Sequence, residues 1–361
     1  MKTWDINYLL NKKNILINKY CKARCDEEQY KLAQMISCYD DAISYISHDE
    51  EEDISILQGL DYDKLYHDTF GYFLGDVSDF YTRFYFDMPE EPNDFDFINT
   101  SKNKVLTVTK EFYEAIKPCF YERLANSEKT GNLRVRFERD NPNNTYLAQT
   151  FPIFSTNMCL VSSNLDKRIM DYINLIHEYG HVLNHSFNKY QMFEFYKYPL
   201  QEVPSLFFEL LAGECLSYMG FDKRDLNRSY VHQFRDIVSG AGIDTFRSEL
   251  INNRKLFDTD EDVIKFLDSN FYDEDLINFS KYNLIKNNMN YVFSFIVAVE
   301  LYMLYLTNSD EALSKLVRIM KVANLSPKEY YDFIIELGIT PLEHMGDYLD
   351  SIKGKQMAYG K

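Results

Sequence analysis

Apolar residues recur at helical spacing along most of the chain. From about residue 171 onward nearly every segment has this pattern, so the second half of the chain is predicted to be helical. The region before residue 126 is predicted to contain several helices, including helices over 30–47 and 109–125. Periodicity alone therefore predicts a mainly α fold.

A short stretch in the middle of the chain has the two-residue alternation of a β-strand. Residues 133–139 alternate between apolar and polar side chains, and residues 147–161 are predicted to add one or two strands. Residues 140–144, rich in Asn and Pro, are predicted to form a turn. A small β-sheet is therefore expected just before the longest helical region.

Composition agrees with one large helical unit. The 361 residues include only 13 Gly and 9 Pro, and 45% are hydrophobic, enough to bury a sizeable core. No Pro/Gly/Ser-rich linker divides the chain. We expect an N-terminal helical region over 1–125 and a second region over 126–361, joined in one continuous structural unit.

Net charge and targeting signals limit the kinds of partner and the cell compartment that we expect. The formal net charge of −17 argues against nucleic acid, whose binding depends on Lys and Arg contacts to phosphates. The N-terminus lacks the basic-then-apolar pattern of a signal peptide, and no apolar run is long enough for a membrane helix. We therefore expect no membrane partner and a cytoplasmic protein.

The six cysteines do not form a C-x-x-C pair. Without a secretory signal they are expected to be free thiols. The alternative is a structural zinc site at Cys21, Cys25 and Cys38, for which the sequence offers no obvious fourth ligand.

The most informative motif is the pentad His177-Glu178-Tyr179-Gly180-His181, an H-E-x-x-H sequence inside an apolar helical run. Two histidines four residues apart lie on one face of a helix, about 6 Å apart along its axis, so both imidazoles can reach one metal ion. Zinc bound in this way is typical of metallopeptidases. In such a site Glu178 would be the general base. The alternative is a helix with two packing histidines and a solvated glutamate.

Catalytic zinc takes three protein ligands, so a third is required. His185 lies about 12 Å along the helix axis from His177, too far for all three histidines to bind one ion. Glu202 is the better candidate because Pro204 places it at the start of a second helix, after a loop over 186–199. Glu209 is too far along that helix to join Glu202 on one ion and is predicted to orient a ligand histidine. A solvated helix face is the alternative for either glutamate.

These residues resemble the zinc oligopeptidase family that includes thimet oligopeptidase and oligopeptidase F. The resemblance rests on His177-Glu178-x-Gly-His181, on Gln-Glu202-Val-Pro-Ser and on Glu209, and it extends weakly over 130–352. It implies that His177, His181 and Glu202 hold one Zn²⁺ per chain, that Glu178 is the general base, and that Glu209 supports a ligand. It also implies a helical zincin-type fold with a small β-sheet beside the motif helix.

Two features depart from the family pattern. The His/Gly/Tyr-rich loop, whose tyrosines bind the substrate carbonyl in the family, is replaced by a stretch without His or Gly, with Phe293 and Phe295 at positions where tyrosine is common. Tyr291 and Tyr282 are then the candidates to stabilise the oxyanion, with His232 a weaker choice. The segment before His177 is also short, so a reduced lid-like helical half is expected.

Together these features predict an oligoendopeptidase that hydrolyses peptide bonds in short peptides. An edge strand of the small sheet can bind such a peptide by pairing with its backbone. Two alternatives remain. One is a zinc carboxypeptidase on a similar helical scaffold, and the other is an inactive protein that binds peptides.

Overall fold

The computed structural model describes residues 6–20, 62–138, 148–153, 158–187, 202–252, 289–322, 325 and 327–359, together with residues 22, 32, 36, 39 and 43. The elements in chain order are α1 (Ile6–Tyr20), α2 (Tyr62–Phe84), α3 (Lys102–Ile116), α4 (Pro118–Lys129), β1 (Leu133–Glu138), β2 (Ala148–Ile153), β3 (Met158–Asn164), α5 (Met170–Phe187), α6 (Val203–Tyr218), α7 (Lys223–Asn252), α8 (Met289–Thr307), α9 (Ser309–Lys321), α10 (Pro327–Glu336) and α11 (Met345–Tyr359). The mainly α fold with a small sheet is confirmed.

The predicted helix over 109–125 is wrong in its bounds. The chain forms two helices there, and they meet at Lys117, whose extended backbone ends α3 and begins α4. Pro118 causes the break because it lacks an N–H and disfavours a helical conformation in the preceding residue, yet it is well accommodated in a first turn. Most of the predicted helix over 30–47 lies outside the described residues, although Leu32, Ile36 and Tyr39 within it are buried.

The three strands form one sheet in the order β1-β3-β2. β3 pairs in parallel with β1 and antiparallel with β2, so β2 lies at an edge that no other described strand covers. The N–H of Cys159 donates to Asn132 C=O, towards β1. Its partner on β2, Pro152, therefore directs its backbone away from β3, and Thr150 and Ala148 do the same by alternation. The predicted turn over 140–144 lies outside the described residues.

The core lies between the helices around α8. Residues 292–301 of α8 are buried almost without interruption, and this helix packs against α2, α6, α7, α9 and α11. Aromatic side chains fill much of the space: Phe80, Phe234 and Phe295 meet edge to face, with ring centroids 5.9–6.4 Å apart. Among the described residues, no helix is long and apolar enough to cross a membrane. One hydrophobic core therefore supports both α5 and α6, the helices that carry the motif residues.

Candidate metal centre

Helices α5 and α6 pack closely and bring the predicted ligands to one point. His177 and His181 lie one turn apart on α5, with imidazole centroids 5.0 Å apart. Glu202 is the N-cap residue of α6, with Pro204 in the first turn. Its Oε2 lies 3.1 Å from Nε2 of His181 and 3.5 Å from Nε2 of His177. Ligand atoms of the three residues all lie within 4.8 Å of one another.

Polar side-chain atoms of His177, Glu202 and the adjacent Glu178 are buried and lack hydrogen bonds of ordinary geometry. His177 and Glu202 are each 7% exposed and Glu178 is 6% exposed. Nε2 of His177, Oε2 of Glu202 and Oε2 of Glu178 have no hydrogen-bond partner. Buried polar atoms are normally paired, and a shared cation satisfies two imidazole nitrogens and a carboxylate together. The donor set of two His and one Glu fits Zn²⁺.

Electrostatics in this cluster favour a bound cation. Burial alone would lower the pKa of His177, but the carboxylates of Glu202 and Glu209 outweigh burial and raise it well above its usual value. Burial would raise the pKa of Glu202, whereas the two imidazoles hold it far below its usual range. The cluster therefore keeps its carboxylate ionised and attracts positive charge, either as protons on the imidazoles or as a metal ion.

Glu209 lies on the far side of the His177 ring from Glu202. Its Oε2 is 2.8 Å from Nδ1 of His177. When the imidazole is neutral, a carboxylate at this position holds the hydrogen on Nδ1 and leaves the Nε2 lone pair directed at the cluster. The structure thus brings Glu209 to the position from which it can orient His177.

Tyr291, in the first turn of α8, lies beside the cluster. Its ring is parallel to the His177 imidazole, with an interplanar angle of 1° and centroids 6.3 Å apart. The negative charge of the nearby Glu202 carboxylate raises the pKa of the phenol well above 10. Tyr291 therefore carries its proton at neutral pH and can donate it to an acceptor in the site.

Of the remaining sequence candidates, those that the structure describes are not part of this converging group. Tyr282 falls outside the described residues. His185 is not part of the group whose ligand atoms converge. The ring of His232 packs against Phe95, with centroids 5.3 Å apart. Phe293 and Phe295 are fully buried in the core, so neither side chain occupies a position from which a tyrosine hydroxyl would line the site.

Close packing of α5 on α6 depends on Gly180, the glycine of the H-E-x-x-H pentad. A Cβ at this position would lie 2.7 Å from Cα and 2.9 Å from Oγ of Ser205. Any larger residue would push apart the helices that carry the histidines and Glu202. The glycine inside the motif was the one sequence signal of this close helix contact. That the contact is with Ser205 depends on tertiary structure.

Two further hydrogen bonds hold the motif helix from outside. The buried phenol of Tyr113 donates to Ile176 C=O at 2.7 Å. Thr150 of β2 donates through Oγ1 to Glu178 C=O at 3.2 Å. The second bond ties the edge strand to the residue proposed as general base. No local pattern indicates either contact.

No protein-family model and no curated protein sequence matches the chain. Several solved structures do. A Bacillus anthracis strain Ames protein assigned as an oligoendopeptidase F has a TM-score of 0.53 and 14% identity, over 98% of this chain and 64% of that one. PZ peptidase A, solved with an inhibitor, has a TM-score of 0.53 and 12% identity, over 96% of this chain and 66% of that one.

A Chlamydophila abortus protein assigned as a peptidase has a TM-score of 0.58 and 12% identity, over 98% of this chain and 63% of that one. This chain therefore spans about two thirds of the length of these neighbours, and at such identities the likeness establishes the fold. The chain has the fold of the oligoendopeptidase F structures, as its resemblance to the thimet oligopeptidase and oligopeptidase F family predicted.

Proposed function

We propose that this chain is a zinc-dependent peptidase that hydrolyses peptide bonds within short peptides. The observation that carries the proposal is the convergence of His177, His181 and Glu202 on one buried point. The adjacent Glu178 has a buried, unpaired carboxylate oxygen, and its charge acts on His177. The names of the structural neighbours, oligoendopeptidase F and peptidase, support the same reaction class.

In this proposal His177, His181 and Glu202 hold Zn²⁺. When bound, zinc lowers the pKa of water toward about 7 and polarises a carbonyl group. Glu209 keeps His177 in the tautomer whose Nε2 faces the ion.

Glu178 accepts a proton from the attacking water and later delivers it to the leaving amine. Its burial supports this role because a carboxylate shielded from solvent exchanges protons mainly with groups that enter the site. Tyr291 donates from its phenol to the oxyanion that develops on the substrate carbonyl.

The outer edge of β2 is the proposed binding site for the peptide backbone. Thr150 directs its backbone N–H and C=O away from β3, and its side chain contacts the motif helix at Glu178. A peptide that pairs with this edge therefore runs past the general base. Pairing through the backbone alone would allow a broad range of sequences.

A library of short peptides, read by mass spectrometry, tests the proposal. Wild type, Glu178→Gln and Glu122→Gln are compared, with the zinc content of each measured; Glu122→Gln makes the same change at an exposed residue of α4. We expect internal cuts by wild type and Glu122→Gln, and none by Glu178→Gln, although all three bind zinc.

Two results would contradict this proposal. Cuts confined to the C-terminal bond would instead indicate a zinc carboxypeptidase. Zinc-loaded wild type that binds peptides but cuts none would indicate a protein that binds peptides without hydrolysing them.

A further inference from the structure

A cavity lies away from the metal centre, between α6, α7 and α11. Its volume is about 70 Å³, and its wall includes Glu214, Lys223, Asn227, Tyr230, Lys355 and Tyr359. A water molecule needs about 10–15 Å³ of such space, so this cavity can hold several waters or one small organic molecule.

One buried group on this wall lacks a partner. Asn227 is only 4% exposed, and its Oδ1 has no hydrogen bond. A buried amide oxygen normally accepts a hydrogen bond, and an unsatisfied one calls for a donor that the protein itself does not supply. Because Asn227 borders the cavity, that donor can come from a ligand.

The charges around the cavity are only partly matched. Lys355 forms an ion pair with Glu214 at 2.7 Å, and Glu214 also accepts a hydrogen bond from Tyr302. Lys223, the first residue of α7, lies 5.9 Å from the centre of the Tyr359 ring, and no described carboxylate forms an ion pair with it. The cavity therefore offers one cation without a carboxylate partner among the described residues.

The two unmatched groups belong to residues on adjacent turns of α7. Lys223 and Asn227 are four positions apart on α7 and so lie on one face, with their backbones about 6 Å apart along the helix. A ligand that satisfies both must carry an anionic group and a hydrogen-bond donor.

We propose that this cavity binds a small free amino acid, with its carboxylate at Lys223 and its ammonium at Oδ1 of Asn227, near the Glu214 carboxylate. An α-amino acid carries both of these groups on one carbon, and the cavity is large enough for a small one. Lys355 and Glu214 neutralise each other as an ion pair, so Lys223 is the net positive charge that the ligand's carboxylate would meet.

The cavity also adjoins the helix that carries Glu202 and Glu209. The Tyr230 phenol donates to Leu210 C=O at 2.6 Å, one residue after Glu209. A Cβ on Gly213 would lie 2.0 Å from the Tyr230 hydroxyl, so the tyrosine lies tightly against α6. Amino acids are end products of peptide hydrolysis, and an amino acid here would act as a product signal. That role rests on the proposed peptidase function, whereas the binding itself does not.

Titration calorimetry with L-alanine tests the site directly. The full-length wild type is compared with His177→Ala, which removes a metal-centre residue and so separates this cavity from product binding at that centre. We expect both proteins to bind alanine. Sodium acetate and ethylamine, which each carry one of the two charges, should bind at least about ten-fold more weakly because each loses one charge-assisted contact.

Lys223→Gln probes the carboxylate contact at an exposed position, and Lys321→Gln makes the same change at an exposed lysine of α9. We expect Lys223→Gln to weaken alanine binding about ten-fold or more and Lys321→Gln to leave it unchanged. Asn227→Ala tests the second contact, in which the ammonium group of alanine donates to Oδ1 of Asn227.

Absence of alanine binding by wild type would overturn the inference, as would wild-type affinity in both Lys223→Gln and Asn227→Ala. Neither result would bear on peptide cleavage that depends on Glu178. Conversely, alanine binding by a protein that cuts no peptide would support the site and remove its role as a product signal.

Discussion

Oε2 of Glu209 lies 2.8 Å from Nδ1 of His177, while Oε2 of Glu202 lies 3.5 Å from Nε2 of the same ring. Both carboxylates come from α6, where seven residues, or about two turns, separate them. One helix therefore contacts both nitrogens of one histidine. Movement of α6 relative to α5 would change both contacts at once.

Substitution of Glu209 should weaken metal binding. We expect Glu209→Ala to lower zinc affinity about 10–100-fold, because His177 loses the carboxylate that fixes its tautomer and orientation. Competition with a chromogenic chelator measures this, with Glu122→Gln as control. Zinc affinity equal to that of wild type would show that Glu209 does not act through His177.

Removal of the metal should destabilise the fold. A ligand that binds only the native state at about 1,000 times its Kd contributes about 4 kcal/mol. We therefore expect EDTA to lower the melting temperature of wild type and zinc to restore it. Glu202→Gln should respond much less to either reagent. A wild-type melting temperature that is insensitive to EDTA and zinc would contradict the proposed metal centre.

Loss of the Tyr291 hydroxyl should slow the chemical step. We expect Tyr291→Phe to lower kcat by about 100-fold, as for the loss of one oxyanion donor, with zinc content unchanged. Tyr218→Phe is a matched control because Tyr218 is 92% exposed. Steady-state kinetics on one peptide measure both variants. A kcat within about two-fold of wild type would exclude Tyr291 from this role and favour another donor.

Gly180→Ala should disturb the packing of the two helices that bear the metal ligands. The added Cβ meets backbone atoms of Ser205, which cannot rotate away, so we expect a loss of about 1–3 kcal/mol in the free energy of unfolding and weaker zinc binding. Ser205→Gly should restore little because the nearest atom is Cα.

Gly354 provides the control for this substitution. It lies inside α11, and a Cβ added there would meet no atom within 4 Å, so Gly354→Ala should stabilise the protein by about 0.5–1 kcal/mol. Denaturant unfolding measures both variants. Equal effects of the two substitutions on the free energy of unfolding would show that the contact with Ser205 does not restrict the size of the residue at position 180.

The pair formed by His344 and Glu300 predicts a pH dependence of stability. Nδ1 of His344 lies 2.7 Å from Oε2 of Glu300, and this contact raises the pKa of His344 above 6.5. A raised pKa means that the stabilisation is present below pH 6.5 and is lost as the pH rises through the folded-state value. The effect is expected to stay under about 1 kcal/mol because His344 is half exposed.

Melting temperatures of wild type and His344→Gln at pH 6 and pH 9 test this dependence. The substitution should cost more at pH 6 than at pH 9. A cost that is larger at pH 9 would reverse the sign and exclude the protonated pair as its cause.

Much of the candidate site could be predicted from local sequence because its parts are local. His177 and His181 share a helix face, and Pro204 marks the start of the helix that Glu202 caps. The strand over 133–138 could be predicted from the alternation of apolar and polar residues. In the same way, Pro118 was a readable signal for the helix break that the predicted helix over 109–125 ignored.

Contacts between distant segments could not be predicted in this way. The bonds from Tyr113 and Thr150 to the motif helix join residues 63 and 28 positions apart, and no spacing rule connects them. The core positions of Phe293 and Phe295 likewise depend on rings supplied by other helices. Such contacts follow from how the elements assemble, which periodicity does not specify.

Pro152 has a consequence for how the protein behaves at high concentration. It lies on the outward side of β2 and lacks an N–H, so this edge cannot complete a regular ladder with the same edge of a second copy. Proline on an outer strand is a common protection against edge-to-edge aggregation. A single imino acid can thus leave Thr150 available to a short extended peptide while it discourages two copies of the protein from joining through their sheets.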